Sequence, residues 1–191
     1  MKSTFTRLAL GAALALSLPL AAQAQTGSAS PNAPAAATPK AADAKLDSAD
    51  RDFLENAAQS GHLEIEGSKL ALEKAHSQDV KTFAQKMIDD HGKVGQQLAT
   101  LAKSKGYEPP TGPSMMQQAR LKTLGMRDDG FDKAYAEEIG VSAHEDAVKL
   151  FEKASKEAKD ADVKKFAADT LPALKQHLDM AKTLHQAVDK K

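Results

Sequence analysis

The chain contains no cysteine and no tryptophan, and only 4% of its residues are aromatic. Without cysteine there are no disulfides, no thiolate zinc or iron–sulfur sites and no thiol nucleophile. An oxidising compartment stays open, because 191 residues can bury enough core without staples. The scarcity of aromatic and β-branched residues argues against a sandwich or barrel. An excess of one charge is also lacking. Twenty-six basic residues balance 26 acidic ones, so no global field draws the chain to nucleic acid or an anionic membrane. Catalytic signatures are missing too: there is no nucleophile elbow, no phosphate-cradling glycine loop and no His-Glu-x-x-His pair. The sequence leans away from an enzyme.

The amino terminus carries an address. Lys2 and Arg7 precede an apolar run from Leu8 to Ala22, which ends in Ala22-Gln23-Ala24. This is the pattern of a secretory signal peptide over residues 1–24. The run is shorter than the roughly 20 apolar residues of a spanning helix, so no stable membrane insertion is expected after cleavage. The expected location is the periplasm. Removal of Lys2 and Arg7 leaves 24 basic residues against 26 acidic ones, still near neutrality. Residues 25–46 are rich in Ala, Pro, Ser and Thr, with Pro31, Pro34 and Pro39 breaking any helix. This composition reads as a flexible leader, because it offers too little apolar surface to offset ordering entropy.

Residues 47–191 read as an all-α domain. The first helix is expected from about Ala49 to Ala75, capped by Asp47 or Ser48. A second starts at Ser77, carries Val80, Phe83, Ala84, Met87, Val94, Leu98 and Ala102 at helical spacing, and stops at Gly106. A third begins near Asp129 with Phe131, Ala134, Tyr135, Val141, Val148 and Phe151. A fourth follows Asp160, and Pro172 within it predicts a kink. The first two helices and the last two are joined by short turns, so each pair is an antiparallel hairpin. Between helices two and three lie more than twenty residues, with a short helix predicted from Ser114 to Leu124 and Met115 and Met116 expected to seat it. Such a connection suits a ferritin-like four-helix bundle with a long crossover between helices two and three. A plain up-down bundle with a large loop is the alternative.

Polar residues on the apolar stripes are the chemical signal. His91, His144 and His177 each occupy a core position on a different helix, and Glu64 lies among small residues on the first. All four fall at similar depth. Three imidazoles and a carboxylate make a candidate metal site for a single zinc, copper or iron ion. Met87 and Met180 would add soft ligands for copper(I), and Asp90, Glu145 and Tyr135 are candidate supporting partners. The alternative is a buried hydrogen-bond network that fixes helix register in a structural or stress-related envelope protein. A metal-dependent redox enzyme would further need an open coordination position. His62, His76 and His185 read as surface residues.

From Asp52 to Val188 the chain resembles the exported bacterial family called domain of unknown function 4142. The resemblance rests on Gly61-His62-Leu63-Glu64, Phe83-Ala84-Gln85-Lys86-Met87-Ile88-Asp89-Asp90-His91, Phe131-Asp132-Lys133-Ala134-Tyr135, Ala143-His144-Glu145, Thr170-Leu171-Pro172 and His177-Leu178. It implies a ferritin-like four-helix fold and brings no established activity. Di-iron ferritin-like sites use Glu-x-x-His. Here the residues three before His91, His144 and His177 are Ile88, Val141 and Leu174, so iron storage and ferroxidase chemistry are not expected.

Overall fold

A computed structural model describes residues 46–190. The expected signal peptide, and all of the expected leader except Leu46, lie outside the described residues. Leu46 itself is buried in the core.

The regular secondary structure of the described residues is all helical, without a strand. Helix α1 spans Ser48–Lys74, α2 Gln78–Ser104, α3 Met115–Gly125, α4 Phe131–Tyr135, α5 Ala143–Glu157 and α6 Ala161–Val188. A π-helical stretch, Ala136–Ser142, joins α4 to α5 in one continuous run. Helix α6 continues through Pro172.

Local chemistry explains where the helices start. Asp47 Oδ1 accepts from the amide of Ala49 at 3.0 Å, and Asp160 Oδ1 accepts from Asp162 and Val163. Ser114 and Gln117 form a reciprocal capping box at α3. Ser77, the expected cap of α2, makes no side-chain cap bond. Asp132 at the start of α4 instead accepts from the amides of His76 and Ser77, at 3.1 and 2.8 Å.

That contact and its counterpart set the topology. Buried Asp50 accepts from the amides of Lys159 and Asp160 in the α5–α6 turn, the latter at 2.7 Å. Each hairpin's turn is therefore held by an aspartate at the start of a helix in the other hairpin. The start of α1 lies beside the end of α5, and the end of α1 beside the start of α4. Hence α1 is antiparallel to the α4–α5 run, and α2 is parallel to it. Lys105, just past α2, agrees by pairing with Asp160 at 2.8 Å and with Asp162 at 2.6 Å. The crossover between them is anchored at its near end by Tyr107, whose ring lies under the Arg51 guanidinium.

Helix α3 departs from expectation. Met115 and Met116 are 88% and 83% exposed, and Leu124 and Leu121 seat the helix instead. The capping box puts both methionines in the first turn, and the side that meets the bundle comes later.

The core has two apolar halves. One gathers Phe83, Met87, Leu124, Phe131, Tyr135 and Ile139. The other contains Phe53, Leu54, Leu98, Phe151, Val163 and Leu174, with Phe53 and Phe151 edge to face at 5.0 Å. On α1, α2, α5 and α6 alike, the stripe passes from one half to the other at a buried polar residue.

Candidate metal centre

Those four residues are Glu64, His91, His144 and His177, and none is more than 3% exposed. The sequence stripes placed all four inward, and the structure brings them together at mid-bundle. The three imidazole centroids lie 5.2–5.6 Å apart.

Each ring has one nitrogen tied to an acceptor that can only receive a proton. His91 Nδ1 faces Glu64 Oε2 at 2.9 Å. His144 Nδ1 faces the carbonyl of Gly140 at 2.8 Å and that of Ile139 at 3.2 Å. His177 Nε2 faces Asp90 Oδ2 at 3.0 Å. Those contacts place the proton of each neutral ring on the tied nitrogen and leave a lone pair on the other. The remaining nitrogens are His91 Nε2, His144 Nε2 and His177 Nδ1. The first two are 3.3 Å apart, and His177 Nδ1 is buried with no hydrogen-bond partner among the described residues. One ligand nitrogen from each of the three rings fits within 4.8 Å of the others. Two nitrogens bound at about 2.0–2.1 Å to a tetrahedral ion sit roughly 3.3 Å apart, so the donor set fits a metal ion without rearrangement of the His91–His144 pair.

The π stretch positions His144. An inserted residue shifts the buried face by one position, about 100° around the axis. Before the stretch, Phe131, Ala134 and Tyr135 face inward. Within it the buried positions are Ala136, Ile139 and Gly140, and beyond it Ala143 and His144, then Ala147 and Phe151. Val141 and Val148, expected in the core, are only partly buried. The same insertion shifts hydrogen bonding to i−5, with the Ala143 amide reaching Glu138, and the His144 ring supplies a donor to carbonyls of the stretch. Gly140 lets this segment approach α6, since a Cβ there would meet that of Ala181 at 3.3 Å.

Electrostatics follow from burial and proximity. Burial alone would raise the Glu64 carboxyl, but the charges of His91 and His144 and the hydrogen bond from His91 hold it below the usual range. Burial alone would lower His91, but the charge and hydrogen bond of Glu64 raise it. His177 is pushed down to about 4, by burial first and then by the charge of His91, against the pull of Asp90. Buried Tyr135 is raised and stays neutral. Its hydroxyl bonds to Ser68 at 2.9 Å rather than to any of the histidines.

The supporting residues divide. Asp90 orients His177 and also accepts from Lys86 at 2.7 Å. Glu145 pairs with Lys182 away from the centre. Glu64 Oε2 binds the side of His91 remote from its Nε2, and buried Glu64 Oε1 lies 3.7 Å from His144 Nδ1 with no hydrogen-bond partner among the described residues. Met87 and Met180 belong to the apolar half on the Phe131 side. His76 is exposed, while His62 and His185 are partly buried. The carbonyls that orient His144 carry no sequence signal, because they depend on the π insertion.

The sequence profile of a family described as a domain of unknown function, DUF4142, matches residues 35–184. The chain belongs to this family. No curated protein matches the DUF4142 chain in sequence. Two solved structures share its fold. A DUF305 fragment from Deinococcus radiodurans superposes with a TM-score of 0.64 at 12% identity, covering 76% of this chain and 99% of that one. CopM in its Cu(II)-bound form superposes with a TM-score of 0.59 at 19% identity, covering 72% and 96%. Among the described residues, no helix is long and apolar enough to cross a membrane.

Proposed function

We propose that this DUF4142 chain is an exported, periplasmic protein with a ferritin-like four-helix bundle that holds one transition-metal ion at His91, His144 and His177. The observation that carries this reading is the set of three inward nitrogens without a donor between them, each on a ring whose opposite nitrogen is tied to a carboxylate or carbonyl. Metal-binding histidines are oriented in that way. In this reading Glu64 acts through His91 instead of ligating, and Asp90 acts through His177. Imidazole donors suit copper and zinc, and copper stands higher in the affinity order. The Cu(II)-bound form of CopM, a fold neighbour, supports testing copper first.

A second reading rests on the 3.3 Å contact itself. If His91 is doubly protonated, as its raised pKa favours, its Nε2–H donates to His144 Nε2. Glu64, His91, His144 and the Gly140 carbonyl then form one hydrogen-bonded chain that needs no metal. Titration with Cu(II) and with Zn(II) against a chromophoric chelator separates the readings. The metal reading expects one equivalent bound, with affinity reduced in His91→Gln, His144→Gln and His177→Gln alike. Equal weak binding by all four proteins would leave the network as the function of these residues.

A further inference from the structure

The charges around the three imidazoles can be counted. His91, His144 and His177 present uncharged nitrogens, so Glu64 brings the charge of the buried set. It is 1% exposed. Among the described residues its ion-pair partners are His91 Nδ1 at 2.9 Å and His144 Nδ1 at 3.7 Å, with no lysine or arginine. A cation held at the imidazoles keeps this carboxylate ionised. Asp90, which touches the His177 ring, is matched already. Lys86 Nζ lies 2.7 Å from its Oδ2 and Lys93 Nζ 3.7 Å from its Oδ1, and its side chain is 28% exposed. A bound ion therefore meets one buried negative charge with no other cation to balance it.

The donor count is a second, independent observation. One nitrogen from each of the three rings can reach a common ion, and among the described residues no fourth His, Cys, Asp or Glu joins them. Glu64 is spent on the far side of His91. Zinc in a closed protein site almost always takes four ligands, and copper(II) prefers a tetragonal set. Copper(I), with a filled d shell, is satisfied by three nitrogens.

Both counts select the same ion. A single positive charge cancels that of Glu64 and leaves a neutral centre between two apolar halves of the core. A divalent ion leaves one positive charge buried without a partner, which is costly away from water. We infer that this centre takes its metal as copper(I), on the nitrogens of His91, His144 and His177, in preference to zinc(II) or copper(II). The inference rests on the metal reading above and names the charge state that Glu64 selects.

The test compares affinities on the purified protein. Copper(I) is competed against bicinchoninate without oxygen, and zinc(II) and copper(II) against chromophoric chelators of their own. The expected result is one copper(I) per chain, held at least about a hundredfold more tightly than either divalent ion. X-ray absorption at the copper edge should report three nitrogens and no fourth ligand. His177→Asp exchanges an uncharged ligand for a charged one and should reverse the order in favour of zinc(II). His177→Asn supplies an uncharged oxygen and should keep copper(I) ahead. Far-ultraviolet circular dichroism checks that both variants are folded, and the order in the parent protein decides the matter without them. Zinc(II) or copper(II) held as tightly as copper(I), or a fourth ligand on the copper, would overturn the inference. An unchanged order in folded His177→Asp would do so too. Each of those results leaves the metal reading standing, whereas no binding of any of the three ions would remove both.

Discussion

His91 donates its Nδ1 proton to Glu64 Oε2 across 2.9 Å, and both side chains are removed from water. Neither group is tolerable there without the other. Removing one member of a buried pair typically costs about 3–5 kcal/mol, because the survivor is left unpaired. Glu64→Ala is accordingly expected to destabilise the metal-free protein on that scale in urea unfolding, and Glu64→Gln, which keeps an acceptor, by roughly 1–3 kcal/mol. The pH dependence has two edges. The raised His91 contribution is fully present below its ordinary value of 6.5 and is lost as pH rises through the higher folded value. The lowered Glu64 contribution is fully present above 4.5 and is lost as pH falls through the lower folded value. Between those ordinary values both are in place.

His177 should dominate a different part of the acid response. Its folded pKa of about 4 lies below the ordinary 6.5, so the unfolded chain binds the extra proton first. Stability therefore falls as pH drops from about 6.5 towards 4, by roughly 3 kcal/mol once the difference is complete. Unfolding curves of the metal-free protein across that interval should show the loss, and His177→Phe should flatten it. An unchanged slope in the variant would move the acid sensitivity elsewhere.

The glycines of α1 should respond with opposite signs. At Gly61 an added Cβ meets open space, so Gly61→Ala is expected to stabilise by about 0.5–1 kcal/mol through helix propensity. At Gly67 the same atom would lie 2.9 Å from Ile139 Cγ1. Gly67→Ala is expected to destabilise by about 1–3 kcal/mol, because the Ile139 side chain must shift within a closed core. Thermal unfolding of the two variants side by side checks both signs.

The π stretch makes a prediction about register. Deleting exposed Glu137 removes the inserted residue, and reversion to α-helix rotates everything upstream relative to His144 by about 100°. The chain then has to choose between burying Tyr135 and burying His144. Metal affinity in the deletion variant should fall by at least about tenfold, the scale of losing orienting contacts, with helicity by circular dichroism largely retained.

Much of this arrangement was legible in the residues themselves. The helix spans, the cap at Asp47, and the inward stripe positions of His91, His144 and His177 follow from periodicity and capping chemistry. What periodicity cannot show is where it breaks. A single α-helical period through the third run keeps Val141 and Val148 on the core stripe, whereas the π insertion turns the face so that Ile139 and Ala143 replace them. The tie between Asp132 and the amides of His76 and Ser77 is likewise invisible, because it joins residues more than fifty positions apart. Met115 and Met116 misled for a related reason: apolar side chains near a helix start say nothing about which side the bundle covers. The inward direction of Glu64 was readable from its small neighbours, but its partner nitrogen on His91 was not, since ring orientation depends on three helices at once.

The most direct test is the metal content of the chain purified without chelators or an affinity tag, measured by inductively coupled plasma mass spectrometry beside a His91→Ala, His144→Ala double variant. The account predicts close to one copper or zinc per chain in the parent and a background level in a folded variant. Metal absent from both, even after loading with copper, zinc and iron in turn, would contradict it.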